Sequence, residues 1–143
     1  MPQWIVYALL AAVCAALVWV FGKAGMAAVD KDLATAVRSV VQAAFVVTFA
    51  ATVGAFAHVK GLTGRPLAVT MIVLSGVAGG LSWVFGFRAL QLAQPSQVQP
   101  IDKLSVVLTA LIGVAFLGDR PSPLNWVGIA LIAVGAWLAA LPR

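Results

Sequence analysis

Apolar and polar positions come in long blocks along this chain. Five apolar blocks, Trp4–Phe21, Leu33–Phe56, Leu67–Phe87, Val98–Leu117 and Leu124–Leu141, are separated by short polar breaks. A helix needs about 20 apolar residues to cross the hydrocarbon core of a bilayer, and each block is close to that length. In lipid every backbone amide must be satisfied within the protein, so the blocks are expected to be helices. The polar–apolar alternation of barrel strands is absent. The pattern predicts an all-α integral membrane protein, one domain over 1–143, with spans near 4–21, 33–56, 67–92, 97–117 and 124–141. Five spans place the two ends of the chain on opposite sides of the membrane.

The breaks are too small for an aqueous domain. Gly22–Asp32 carries Lys23, Gly25, Asp30, Lys31 and Asp32; Ala57–Pro66 carries His58, Lys60, Gly61, Gly64 and Arg65. Arg88–Gln97 carries Pro95 and Ser96, and Gly118–Pro123 reads Gly-Asp-Arg-Pro-Ser-Pro, a stop followed by a restart. A nucleotide-binding fold has no room here, which excludes an ATP-driven mechanism within this chain.

Composition agrees with the pattern: 63% of the 143 residues are apolar and 9% are charged, against about 25% charged in soluble domains. The net charge of +5 is scattered, with no basic run of the kind that binds nucleic acid. It suits loops facing anionic headgroups. Cys14 is the one cysteine, inside the first block, and reads as a small core residue. The segment before that block lacks the basic leader of a cleaved signal, so the first block is expected to remain as a helix.

Basic residues give little instruction about orientation. On the N-terminal side lie Lys60, Arg65 and Arg120; on the other lie Lys23, Lys31, Arg88 and Arg143, with Arg38 and Lys103 deeper on that half. So weak a bias is compatible with insertion both ways round. Two copies in opposite orientations would give ten helices with inverted-repeat symmetry, the plan of many secondary transporters. Small-xxx-small pairs (Gly76 with Gly80, Ser75 with Gly79), Gly128 with Gly135, and Ala11, Ala12, Ala15 and Ala16 predict close helix contact, within a subunit first and between subunits second.

Charges at membrane depth are costly and are usually functional. Asp102 is the acid inside a predicted span; Lys103 adjoins it but should point about 100° away on a continuous helix. Arg38 is the other deep charge. With Thr35 and Gln42 it forms a polar stripe of i, i+3, i+7 spacing on an apolar helix, which should face protein or a water-filled cavity. Asp102, Lys103 and Arg38 are therefore candidates to line a cavity that binds substrate or a coupling proton. The alternative is a structural ion pair, Asp102 to Arg38 or Arg88, or a snorkelling lysine. Of the five tryptophans, Trp19 and Trp83 are the candidates for a cavity wall, while belt positions suit the others. Substrate or coupling-ion binding is thus expected at Asp102, Lys103, Arg38, Gln42, Trp19, Trp83 and Arg88. Pro95 and Pro100 should bracket the hairpin between the third and fourth spans. His58 is a solitary loop histidine. No pattern of catalytic, metal-ligating or cofactor-binding residues stands out.

From Leu67 onward the chain resembles the EamA family of the drug/metabolite transporter superfamily. Ser75-Gly76-Val77-Ala78-Gly79-Gly80-Leu81-Ser82-Trp83 looks like the family's Gly-rich third helix, and Pro100-Ile101-Asp102-Lys103-Leu104-Ser105 opens a stretch like its fourth. Phe116-Leu117-Gly118-Asp119-Arg120 stands where the family usually has Phe-Leu-Gly-Glu-Arg, and Asn125-Trp126-Val127-Gly128 begins a fifth helix of the family kind. The first half fits through Trp19, Lys23 and Thr35-Ala36-Val37-Arg38. The resemblance implies half of a ten-helix fold. It also implies nucleotide-independent transport or export of small metabolites across the bacterial plasma (inner) membrane. Because most relatives hold two five-helix repeats, it further implies a homodimer, with an antiparallel pair as one form. Small multidrug-resistance proteins, distant members of the superfamily, use an acid in the first helix, which this chain lacks. The alternatives are a non-transporting accessory or scaffold subunit, and a lipid-carrier flippase of the same fold. Arg38, Arg88 and Lys103 favour anionic or zwitterionic substrates.

Overall fold

The computed structural model describes residues 2–62 and 64–141; Arg143, counted above among the basic residues, lies outside them. Six α-helices account for most of the chain: α1 (Gln3–Gly25), α2 (Lys31–Thr52), α3 (Pro66–Leu92), α4 (Pro95–Asp102), α5 (Ser105–Ile112) and α6 (Pro123–Ala140). A 3₁₀ segment, Ala55–Leu62, follows α2, and a π-helical turn, Gly113–Leu117, continues α5. No strand occurs among the described residues. Among the described residues, Gln3–Gly25, Lys31–Thr52, Pro66–Leu92, Pro95–Leu117 and Pro123–Ala140 are the five segments long and apolar enough to cross a membrane.

The helix ends follow local chemistry. Asp30 caps α2, its Oδ1 accepting from the backbone N–H of Asp32 (2.9 Å) and Leu33 (3.2 Å). Those two bonds hold its carboxyl below the usual carboxylate range, with Leu33 contributing most. Ser122 caps α6 by accepting from the N–H of Asn125 at 3.2 Å, and Pro123 takes the first helical position, where a missing N–H costs nothing.

The fourth span departs from the expected single helix. Pro95 opens α4 and Pro100 lies inside it, so the two prolines do not bracket the hairpin, which is only Ala93 and Gln94. Pro100 has no N–H to continue the ladder and its ring crowds the preceding turn. One turn later the Lys103 N–H is shared between Gln99 O (3.2 Å) and Pro100 O (3.1 Å), and the Leu104 N–H donates to Ile101 O (3.0 Å), an i→i−3 bond that tightens the chain. The span ends at Gly118, whose φ of 74° is left-handed and admits glycine readily. The N–H groups of Gly118 and Asp119 both donate to Gly113 O, the latter at 3.1 Å. Gly113 is buried, and a Cβ there would fall on the carboxylate of Asp119.

The chain divides into two compact units. One joins the part up to Lys23 with everything from Ala89 onward; the other is Ala24–Arg88. In the first, α6 packs along α4 and, less extensively, α5. A cleft of about 250 Å³ brings Ala12 and Ala15 of α1 to Gln99, Pro100 and Lys103. In the second, α2 and α3 are linked through long side chains, described below. Added Cβ atoms on Gly76, Gly79, Gly80, Gly128 or Gly135 would meet nothing within 4 Å. Within each unit no neighbouring helix closes on these glycines.

Candidate functional site

The unit Ala24–Arg88 places its chemistry on α2. Thr35 is buried, and its Oγ1 donates to Lys31 O at 2.8 Å, while Ser39 Oγ donates to Thr35 O at 2.8 Å. These back-bonds hold short hydroxyls against their own helix. Arg38 follows one turn after Thr35 and reaches α3. Its guanidinium carbon lies 3.5 Å from the Trp83 ring centroid and 5.6 Å from that of Phe87. Trp83 and Phe87 are four apart on α3 and so share a face; their rings meet edge to face at 5.8 Å and 85°. Phe87 is 2% exposed. The Nη1 atom of Arg38 is buried and has no hydrogen-bond partner. Gln42, the last member of the stripe, is exposed.

Near the start of α2, Arg88 Nη2 lies 3.5 Å from Asp32 Oδ1, and Lys31 Nζ lies 4.0 Å from Asp30 Oδ2. In the other unit Asp102 Oδ2 and Lys103 Nζ are 3.5 Å apart, both partly exposed. Within its own unit each charge has a different neighbour. Arg88 takes Asp32, Asp102 takes Lys103, and Arg38 takes aromatic faces. The sequence neighbours Asp102 and Lys103 meet at the end of α4, although on a continuous helix they are expected to point about 100° apart. Trp19, on α1, is 5% exposed, unlike Trp4 and Trp137, which are 69% and 63% exposed and suit a lipid-facing belt.

A second cleft, of about 360 Å³, lies between α5 and α6, with Ser105, Thr109, Asp119 and Asn125 as its polar lining. Sequence reasoning passed over this cleft, and also Phe87 and the role of Lys23. Phe87 carries a legible signal, its four-residue spacing from Trp83. Lys23 donates to Leu90 O and Ala93 O, partners far away in sequence that no local pattern reveals.

Five apolar spans with charged and aromatic groups set among them define a multi-pass membrane protein. The chain belongs to the EamA-like transporter family, which it matches over residues 2–141; it is a membrane transporter built of a single EamA-like unit. A protein of Sinorhizobium sp, "Uncharacterized transporter in cobO 3'region", is 42% identical over 139 residues, 97% of each chain. No solved structure matches it.

Proposed function

We propose that this chain is a secondary transporter of small organic metabolites in the bacterial inner membrane. It works as a homodimer of five-helix units, with the two copies in opposite orientations. The observation that carries this reading is the exposure of Gln42 seven residues beyond the buried Thr35 on one stripe of α2. A primary amide facing lipid without a partner is costly, and a second copy supplies the missing cover. The glycine faces of α3 and α6, which no helix of their own unit covers, and the weak charge bias support the same assembly. Asp102, at the break in the fourth span, is the acid available to carry a coupling proton.

Purified protein in liposomes tests this reading through uptake and counterflow of a metabolite panel, with and without an imposed proton gradient. Gradient-dependent flux is expected. Cysteines placed at Gly76 or Gly80 in a Cys14→Ala background should crosslink two copies in native membranes. Added loop lysines that lock one orientation should lower activity when that form is present alone. Absence of crosslinked dimer would remove the assembly, and full activity from a locked pool would remove its antiparallel form.

A further inference from the structure

Within the unit Ala24–Arg88, Arg38 is a cation that faces no carboxylate, both acids at the start of α2 being paired elsewhere. Lys31, Arg88 and Lys103 each face a carboxylate, and Lys23 is taken up by backbone carbonyls. The Arg38 guanidinium instead rests on Trp83, with Phe87 behind, and its buried Nη1 donates to nothing. A guanidinium cannot shed its proton to escape that condition, and a buried, unsatisfied charged donor is costly. Stacking on the indole covers a face of the group and leaves the N–H edge as the part that can still bond.

We propose that this edge is the anion subsite of the transported metabolite and that the metabolite bears a single carboxylate. The inference rests on the transporter reading above and names the substrate class of that site. Two features select a carboxylate. A planar carboxylate accepts two parallel N–H bonds from one guanidinium edge, the geometry that arginine offers and lysine does not. The charges of this region also leave room for one negative charge. Asp30 and Asp32 offset two of the three cations Lys31, Arg38 and Arg88, so a monoanion brings the region to neutrality and a dianion overshoots it at membrane depth. Trp83, half-buried, then supplies apolar surface for the carbon skeleton next to the carboxylate, with the buried Phe87 supporting its ring. Arg88 and Lys103 already face acids of this chain, which leaves Arg38 the stronger anion site.

The full chain in nanodiscs tests this by calorimetric titration with acetate, butyrate and benzoate, each beside its neutral amide, and with inorganic phosphate and benzylamine. At least one carboxylate should bind, while the amides and benzylamine remain silent. Arg38→Gln should weaken that binding about tenfold or more, as expected for loss of a charge-assisted pair. Arg38→Lys should weaken it by a smaller factor, and it decides the matter if the glutamine variant does not fold. The proposal is overturned if no carboxylate binds, if the amides bind equally well, if phosphate is preferred in an Arg38-dependent way, or if the folded variants bind as wild type does. Counterflow in liposomes separates the two readings. Arg38-dependent carboxylate binding without flux refutes transport and leaves the subsite standing. Flux of a neutral or cationic compound that survives Arg38→Gln leaves transport standing and refutes the subsite.

Discussion

Lys23, close to the end of α1, donates its ammonium to Leu90 O and, at 3.1 Å, to Ala93 O just past the end of α3. The last carbonyls of a helix have no partner within it and carry its negative pole, so a lysine here both completes their hydrogen bonds and answers their charge. Lys23→Met should cost about 1.5–3 kcal/mol, the usual worth of a hydrogen bond to a charged group. Lys23→Arg should recover part of it. Denaturant unfolding in mild detergent reads the difference, and equal stability of Lys23→Met and wild type would deny Lys23 this role.

Gly113 lacks a side chain where Asp119 folds back on it. Gly113→Ala would drive a methyl into the Asp119 carboxylate and is expected to destabilise by about 1–3 kcal/mol, the range for overpacking. Asp119→Gly should relieve the clash, so the double variant should be more stable than Gly113→Ala alone. A purely additive double-mutant cycle would show that the two positions do not meet.

The cap at Asp30 predicts a pH dependence. Its folded carboxyl titrates below the ordinary value, because the N–H groups of Leu33 and Asp32 bond to the charged form. The contribution is therefore fully present above the unfolded carboxylate range near about 4. It is lost as pH falls through the lower, folded value. The stability gap between wild type and Asp30→Ala should be constant from neutral pH down to about 5 and close below about 4. A gap that opened on acidification would mean that the cap works in its protonated form.

Asp102 and Lys103 sit 3.5 Å apart, both partly exposed, so their pairing should be worth no more than about 1 kcal/mol. Asp102→Asn is accordingly expected to insert, dimerise and unfold nearly as wild type does while its proton-driven transport falls. Fluorescence-detected gel filtration and flux measured on the same preparation provide the comparison. Wild-type flux from Asp102→Asn over the accessible pH range would remove this acid from the mechanism.

Much of the architecture is legible in the blocks of apolar residues, since lipid demands helices and helices of a certain length. Arg38 and its stripe also stand out, because a charge seven residues into a span is conspicuous against its neighbours. Its destination does not. Nothing local to residues 35–42 indicates that the guanidinium will lie on an indole of α3. Likewise Arg88 meets Asp32 across 56 positions, a contact that only the packing of α2 with α3 decides. The fourth span hides a different kind of information. Its mean hydropathy of 1.8 suggests a continuous rod, whereas Pro100 has no N–H for the turn before it and an i→i−3 bond replaces the α pattern at Leu104, and hydropathy does not register hydrogen bonds.

That interruption has a mechanical side. A continuous helix answers a thicker or thinner bilayer by tilting as one rod, carrying both of its ends with it. The span Pro95–Leu117 is articulated at Lys103–Leu104 and loosened again where the π-helical turn begins at Gly113. With α4 packed along α6 more extensively than α5 is, a change in membrane thickness is expected to be taken up by bending at the joint rather than by tilting of the whole span.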